Sequence, residues 1–473
     1  MIDRIRRVAA LGLAIALGAA LPAQAQRAAR IPESVNAALK AANVPSGAVG
    51  ISVVPLQAGG LSLALNETTP MNPASTMKLV TTLAGLEILG PQYIWRTEAL
   101  AVAPLTQGTL EGDLYLRGSG DPHLVVEHLW LLVQRLRGVG LREIRGDLVL
   151  DRSAFEPLPH DPGAFDGESL RPYNAGPDAL LLNYKSVSFH FVPDADGRQV
   201  RVYALPALAG MTVPATVRAA EGPCNDWRGR LGGDFSDALR PQFRGAFPVS
   251  CGDRVWHVSL LTQTQYVDAL FRSLWTASGG TLRGNARDGT APTDARRLAQ
   301  HESDSLAEVI RAINKFSNNV MARQLFLTIG AEVTRQPASL DRAQRAVSDW
   351  LVGKGLDRRE FVLENGAGLS RVERLTPAGL ARLLAGAFAS PLMPEYVSSL
   401  PLVGVDGTMR KRVGAAGSAH VKTGLLTDAR AIAGYVLAAS GRRYTVVAFV
   451  NHPNANGAQA ALDELLNWVF VNG

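Results

Sequence analysis

The chain has 473 residues, more than one ordinary hydrophobic core organises, so two or three domains are expected. Apolar residues make up 47% and charged residues 19%, which excludes disorder and collagen-like repeats as the main class. The net charge of +6, from 48 basic and 42 acidic side chains, is a weak excess with no basic run or aromatic stripe, so nucleic-acid binding is not expected.

Residues 1–25 read as a signal peptide. Arg4, Arg6 and Arg7 form a positive start, and residues 8–21 are apolar but too short to span a bilayer. Ala23-Gln24-Ala25 then offers a small-residue cleavage site. An uncleaved anchor is the alternative reading. A lipoprotein is excluded, because no cysteine lies near the cleavage site. No later stretch is long and apolar enough to cross a membrane, so the mature chain is expected in a bacterial periplasm, without a transmembrane segment.

Residues 47–56 and 61–65 predict two short strands about a Gly59-Gly60 turn. Asn72-Pro73-Ala74-Ser75-Thr76-Met77-Lys78 then leads into an apolar run that ends at Leu89. Asn72 suits a helix cap, Pro73 the first turn and Gly90-Pro91 a stop. Ser75 is therefore expected at the start of a buried helix.

Residues 97–292 change character. Short alternating runs such as 112–116 and 186–192 dominate, split by Pro/Gly turns, with helical pieces near 123–138 and 263–277. This reads as an inserted, mainly-β region, perhaps two small domains. Cys224 and Cys251 lie inside it. Exported proteins pair such cysteines, and a loop of this size adds roughly 3–4 kcal/mol in the chain-entropy model. Two buried free thiols are the alternative. Without nearby histidines the pair is a poor metal site, and no metal is expected.

From about 303 the helical period returns. Leu306, Val309, Ile310 and Ile313 share one face, Phe316-Ser317-Asn318-Asn319 interrupts, and Val320, Met321, Leu325 and Phe326 carry a second helix. Residues 419–426, 431–438 and 443–451 read as strands, and 457–470 as a closing helix. The expected fold class is α/β (α+β). Residues 26–96 and 293–473 would form a five-stranded antiparallel sheet covered by helices, and 97–292 an excursion from it.

The basic residues carry a chemical hint. Only seven of the 48 are lysine, and lysine, unlike arginine, loses its proton when desolvated. Three of the seven, Lys78, Lys315 and Lys422, lie in or beside Ser/Thr/Asn/Gly clusters. Ser75 and Lys78 are three apart on a helix and so share a face. A serine hydroxyl needs a neighbouring base, which a neutral Lys78 would supply. Lys422-Thr423-Gly424 sits on a strand, where glycine marks close backbone approach and a cation beside a hydroxyl suits a peptide carboxylate. A strand-end turn is the plain alternative. Ser317-Asn318-Asn319 offers a hydroxyl and an amide between two helices, and an ordinary helix cap is the plain alternative there.

The order S-x-x-K, S-x-N, K-T-G resembles that of the penicillin-binding proteins and serine β-lactamases. The two serines lie 242 positions apart, and in this the chain resembles still more the DacB-type D-alanyl-D-alanine carboxypeptidase/endopeptidases, which carry a long, mostly β insertion there. Family-like stretches also occur at 112–122, 404–409 and 432–435. The resemblance implies that Ser75 attacks the penultimate D-alanine carbonyl and that Lys78 takes its proton. It makes the N–H groups of Ser75 and Leu425 the oxyanion hole, next to Gly424. Ser317, with Lys78 and Lys422, would pass a proton to the departing amine. Asn319 would bind the substrate amide, and Lys422 and Thr423 its terminal carboxylate. Implied partners are stem peptides ending in D-Ala-D-Ala, cross-linked muropeptides and β-lactams, with no cofactor.

Three positions depart from the pattern. Leu425 stands where the family has Ser or Thr, so a hydroxyl near the carboxylate is lost. Asn365-Gly366-Ala367-Gly368-Leu369-Ser370-Arg371 resembles D-G-S-G-L-S-R with Asn for Asp and Ala for Ser, which changes the local hydrogen bonding. The middle motif reads S-N-N rather than S-D-N. A serine β-lactamase is one alternative function; it needs a base for deacylation, and no such glutamate stands out. A non-catalytic peptidoglycan- or penicillin-binding module is the other, and the intact motif side chains argue against it.

Overall fold

The computed structural model describes residues 31–157 and 159–473, so the expected signal peptide lies outside the described residues. Strand Val49–Pro55 pairs antiparallel with Leu63–Leu65 on one side and with Arg443–Asn451 on the other. Arg443–Asn451 pairs with Ala429–Leu437, and that strand with Ala419–Leu425 at the far edge. The result is the expected five-stranded antiparallel sheet, which joins the two ends of the described chain.

Both faces of this sheet are covered, so its strands are apolar almost throughout. Ile51, Val53, Ile432, Val436, Val446 and Ala448 share a core with helices Glu33–Ala41 and Gln459–Asn472. The alternate residues Ala431, Ala433, Tyr435, Val447 and Phe449 face a larger layer. That layer includes Met77–Leu89, Leu306–Phe316, Asn319–Thr334 and Pro377–Phe388. This is the period-two pattern of a sheet with two buried sides. Helix Met77–Leu89 is buried from Met77 to Leu86, and Asn319–Thr334 from Asn319 to Gly330. Polar side chains within these buried runs are thus largely shielded from water and find partners inside.

The inserted region holds two further five-stranded sheets. One is mixed and runs, in spatial order, Ala286–Asp288, Leu148–Asp151, Leu114–Gly118, Arg96–Ala101, Arg296–Glu302. Strand Arg296–Glu302 lies past the expected boundary at 292, which puts the return to the helical body near residue 303. The other sheet runs Ala246–Pro248, Thr216–Ala220, Gln199–Leu205, Val187–Pro193, Arg254–Val258. Helices Val126–Gly138 and Gln263–Ala277 lie where the helical pieces were expected. Two small domains were suggested by the sequence, whereas one continuous core serves both sheets, from Leu116 and Leu129 through Val187 to Phe191 and Phe247. Cys224 and Cys251 are disulfide-bonded beside that core. No helix of the described residues is long and apolar enough to cross a membrane.

Candidate active site

Ser75 lies on a tight 3₁₀ turn, Ala74–Thr76, which feeds directly into helix Met77–Leu89. Asn72 does not cap that helix, as the sequence suggests. Its Oδ1 accepts the Ala74 N–H at 2.9 Å, and its Nδ2 donates to the Ser370 carbonyl. Asn451, at the end of its strand, clamps Asn72 by accepting the Asn72 N–H and donating to the Asn72 carbonyl. Ala74 takes a left-handed backbone at φ +45°, which costs a non-glycine residue roughly 1–2 kcal/mol. Two glycines make room for this turn. A β-carbon at 424 would stand 2.9 Å from the Pro73 carbonyl oxygen, and one at 368 would stand 1.9 Å from the Ala74 oxygen. The strand carrying Lys422 and the loop carrying Ala367 can therefore close on Ser75 only with glycine at these points.

Lys78 is fully buried, and its ammonium position is surrounded by three acceptors. Nζ donates to Ser75 Oγ at 3.0 Å, to Asn319 Oδ1 at 2.6 Å and to the Ala367 carbonyl. Burial pushes the Lys78 pKa well below the usual lysine range, and the charges of Lys422 and Arg323 push it further. Glu373 acts in the opposite direction. Of the three partners, Asn319 Oδ1 and the Ala367 oxygen can only accept. A neutral amine therefore uses its two N–H bonds on them and keeps its one lone pair for the hydroxyl proton of Ser75.

A second buried lysine stands opposite. Lys422, on strand Ala419–Leu425, donates to Ser317 Oγ at 2.8 Å and to the Thr423 carbonyl at 2.6 Å. Burial lowers its pKa to about 7. Ser317 ends helix Leu306–Phe316 in a left-handed conformation, φ +57°, and the next helix starts two residues later. Asn318, not Ser317, serves as the cap, accepting the Met321 N–H. The helix cap thus falls on Asn318, while Ser317 and Asn319 bond to the buried lysines Lys422 and Lys78.

The remaining predicted residues assemble as follows. Thr423 Oγ1 donates to Thr408 Oγ1 at 2.9 Å, at an exposed rim. Gly424 presses on the Ser75 turn, and Leu425, opposite Arg430, is 56% exposed. Lys315, the third lysine singled out, pairs with Asp406 at 2.6 Å and ties the Ser317 helix to the 404–409 loop that carries Thr408. Cys224 and Cys251 belong to the inserted core and take no part in this cluster.

Sequence reasoning assigns no role to Thr408, inside the family-like 404–409 stretch, to the Ala367 carbonyl, to Asn451 or to Glu373. Glu373 is fully buried and accepts the N–H groups of Glu364, Asn365, Gly366 and Gly368. The one available signal is Asn365, which puts an amide where the resembling pattern has a carboxylate. The outer wall of this loop borders a cleft of about 390 Å³, lined also by Phe165, Arg323 and Arg371.

A serine hydroxyl beside one buried lysine, with a second buried lysine across from it, is an arrangement that can carry acyl transfer. The family model for the D-Ala-D-Ala carboxypeptidase 3 (S13) family matches residues 31–469. The chain belongs to that family. This carboxypeptidase 3 family member is 30% identical over 468 residues to a D-alanyl-D-alanine carboxypeptidase from Actinomadura sp., covering 94% of this chain and 85% of the relative. It is 27% identical to the D-alanyl-D-alanine carboxypeptidase DacB of Haemophilus influenzae, over 82% of this chain and 81% of the other. Among solved structures, its fold matches penicillin binding protein 4 (dacB) of Haemophilus influenzae with a TM-score of 0.76. That match has 24% identity and covers 92% of this chain and 99% of that one. The DacB-type resemblance seen in the motifs thus holds across the described chain, and the chain is a hydrolase of the D-Ala-D-Ala carboxypeptidase class.

Proposed function

We propose that this carboxypeptidase cleaves the terminal D-Ala-D-Ala bond of peptidoglycan stem peptides through an acyl-enzyme on Ser75. In the same site it would cut cross-linked muropeptides and be acylated by β-lactams. The observation that carries the reading is the set of three acceptors around Lys78, which leaves a neutral amine one lone pair directed at Ser75.

Ser75 Oγ gives its proton to Lys78 Nζ and attacks the carbonyl carbon of the penultimate residue. Negative charge develops on the carbonyl oxygen, to be met by the N–H groups of Ser75 and Leu425. Leu425 performs this role as well as a hydroxyl residue would, because only its main chain is used. The amine leaves when it receives a proton through Ser317, whose hydroxyl already accepts from Lys422. Asn319 has its oxygen engaged by Lys78, so its NH₂ remains for the substrate amide.

Lys422 and Thr423 bind the terminal carboxylate. A lysine with its pKa near 7 is only partly charged at neutral pH, and an arriving carboxylate favours the charged form. The hydroxyl missing at Leu425 has a substitute nearby, since Thr408 Oγ1 touches Thr423 Oγ1. Water then hydrolyses the acyl-enzyme. Substrate and signal-peptide reading together favour the periplasm as the place of action. The test is a fluorescent penicillin followed by peptide mapping: the label is expected on Ser75, and a label on Ser317 would overturn the assignment.

A further inference from the structure

We propose that Glu373 is a positioning residue for Lys78: its carboxylate folds the 364–368 loop so that the Ala367 carbonyl meets the amine, and it sets a counter-charge against the cations Lys422 and Arg323. This rests on the reading of Lys78 as the base.

The loop has an unusual need. Four successive or near-successive main-chain N–H groups, those of Glu364, Asn365, Gly366 and Gly368, point inward. Glu373 Oε1 accepts the first three at 3.1, 2.9 and 2.9 Å, and Oε2 accepts the fourth at 3.0 Å. Glu373 is itself held, since Ser370 Oγ accepts its N–H at 2.9 Å and that of Val372 at 3.0 Å. Gly366 and Gly368 are both left-handed, at φ +69° and +76°, so the loop has little stiffness of its own. Its shape comes from the carboxylate. The same shape aims two carbonyls at the serine helix: Ala367 O at Lys78 Nζ, and Gly366 O at Thr81 Oγ1.

Asn365 cannot do this work. Its Oδ1 accepts only the Ala367 N–H, and its Nδ2 donates to the Leu369 carbonyl. With an amide at 365, the buried carboxyl of the loop is that of Glu373; burial raises its pKa, and the main-chain N–H groups it accepts favour the charged form. That charge has a function beyond folding. Lys78 faces Lys422 from the edge strand and Arg323 from helix Asn319–Thr334, both of which favour its neutral form. Glu373, from the loop, is the opposing influence. It also acts on Arg323, and Glu364 acts on both Arg323 and Glu373. A base must lose its proton at working pH yet still accept one from serine, and the ideal pKa lies near the operating pH. Two cations without a counter-charge would leave Lys78 too weak a base.

The test compares Glu373→Gln and Glu373→Asp in the full chain. The second-order rate of acylation by a fluorescent penicillin is followed from acid to alkaline pH, alongside the ¹⁵Nζ titration of Lys78. Gln keeps the length and removes the charge. The acid limb of the profile and the Lys78 midpoint should both move to lower pH by roughly half a unit or more, and the plateau rate should fall about tenfold. Asp keeps the charge and shortens the reach, so the limb should stay in place while the plateau falls. Equal rate losses in both variants with no movement of the limb would reduce Glu373 to a structural residue and overturn the proposal. Wild-type rates and limbs in both would overturn it as well. If Gln does not fold, Asp still decides, because a shifted limb or an undiminished plateau in Asp contradicts the account. Wild-type protein labelled elsewhere than Ser75 would defeat the function instead, while the Lys78 titration would still report on Glu373.

Discussion

The helical body and the inserted region bury different chemistry. Among the described residues, the body encloses Lys78, Lys422 and Glu373 completely, with Asn314, Asn319 and Gln324 beside them. The insertion encloses a ring cluster instead, with Phe189, Phe191, Trp227, Phe243, Phe247 and Trp256 in mutual contact and a disulfide alongside. A buried charge is costly unless it finds partners, whereas a buried ring needs only neighbours of the right shape. In the body those partners come from four separated segments: the Ser75 turn, the Ser317 junction, the 364–373 loop and the Lys422 strand. The chemistry therefore depends on the register of the body, while the ring-packed core of the insertion is separate from it, and the insertion meets the site where Phe165 and its neighbours border the cleft.

The sharpest way to break this contrast is Ser75→Ala. It should abolish covalent penicillin labelling and leave circular dichroism and thermal unfolding unchanged; persistent labelling would place the nucleophile elsewhere. Lys78→Arg comes next. It keeps the charge and removes the ability to deprotonate, so acylation should drop more than about tenfold, nearly as far as in Lys78→Ala. Retention of most of the rate would remove Lys78 from the role of base.

The insertion should respond in the opposite way. Cys224→Ser with Cys251→Ser should lower unfolding free energy by about 3–4 kcal/mol in the chain-entropy model, with a loop closed at a sequence separation of 27. Acylation of the folded variant should stay within about twofold of wild type, because the pair lies in the other core. A large loss of rate at unchanged stability would mean that the two regions are coupled.

Two smaller effects sharpen the account of the body. Burial lowers the Lys422 pKa to about 7, so its charge is present below that pH and is lost as pH rises through it. The kcat/KM for a short D-Ala-D-Ala peptide, which reports the free enzyme, should therefore decline on the alkaline side. A profile flat from neutral to alkaline pH would contradict this. The smallest effect expected is from Leu425→Thr. A hydrogen bond to a charged group is worth roughly 1.5–3 kcal/mol, but Thr408 already supplies a hydroxyl beside Thr423. The gain on a short peptide should be under roughly tenfold, and larger than on a cross-linked dimer. A fall on the short peptide would mean that Leu425 itself packs against substrate.

Much of this was legible in the sequence. The three-residue spacing of Ser75 and Lys78 requires only that the segment be helical, and the apolar run to Leu89 made it so. The five strands are readable because short, mostly apolar runs are bounded by turns. The scarcity of lysine marked Lys78, Lys315 and Lys422 in advance. What stayed hidden was held by the main chain. Glu373 binds four N–H groups, and an N–H group is the same in every residue but proline, so no pattern of side chains announces the contact. The left-handed Ala74 and the Asn451 clamp on Asn72 arise from strand and turn meeting across 379 residues. The end of the insertion was misplaced because strand Arg296–Glu302 is mostly polar and half exposed, and shows its pairing with Arg96–Ala101 only in three dimensions.

The central claim is that Lys78 rests as a neutral amine with its lone pair on Ser75. With only seven lysines in the chain, ¹⁵Nζ NMR can follow each of them, and the signal lost in Lys78→Arg identifies the one that matters. The account predicts that this signal is that of a neutral amine at pH 7, because burial and the nearby cations hold the Lys78 pKa well below the usual lysine range. A Lys78 signal that remains an ammonium through neutral pH and titrates with the surface lysines would contradict it.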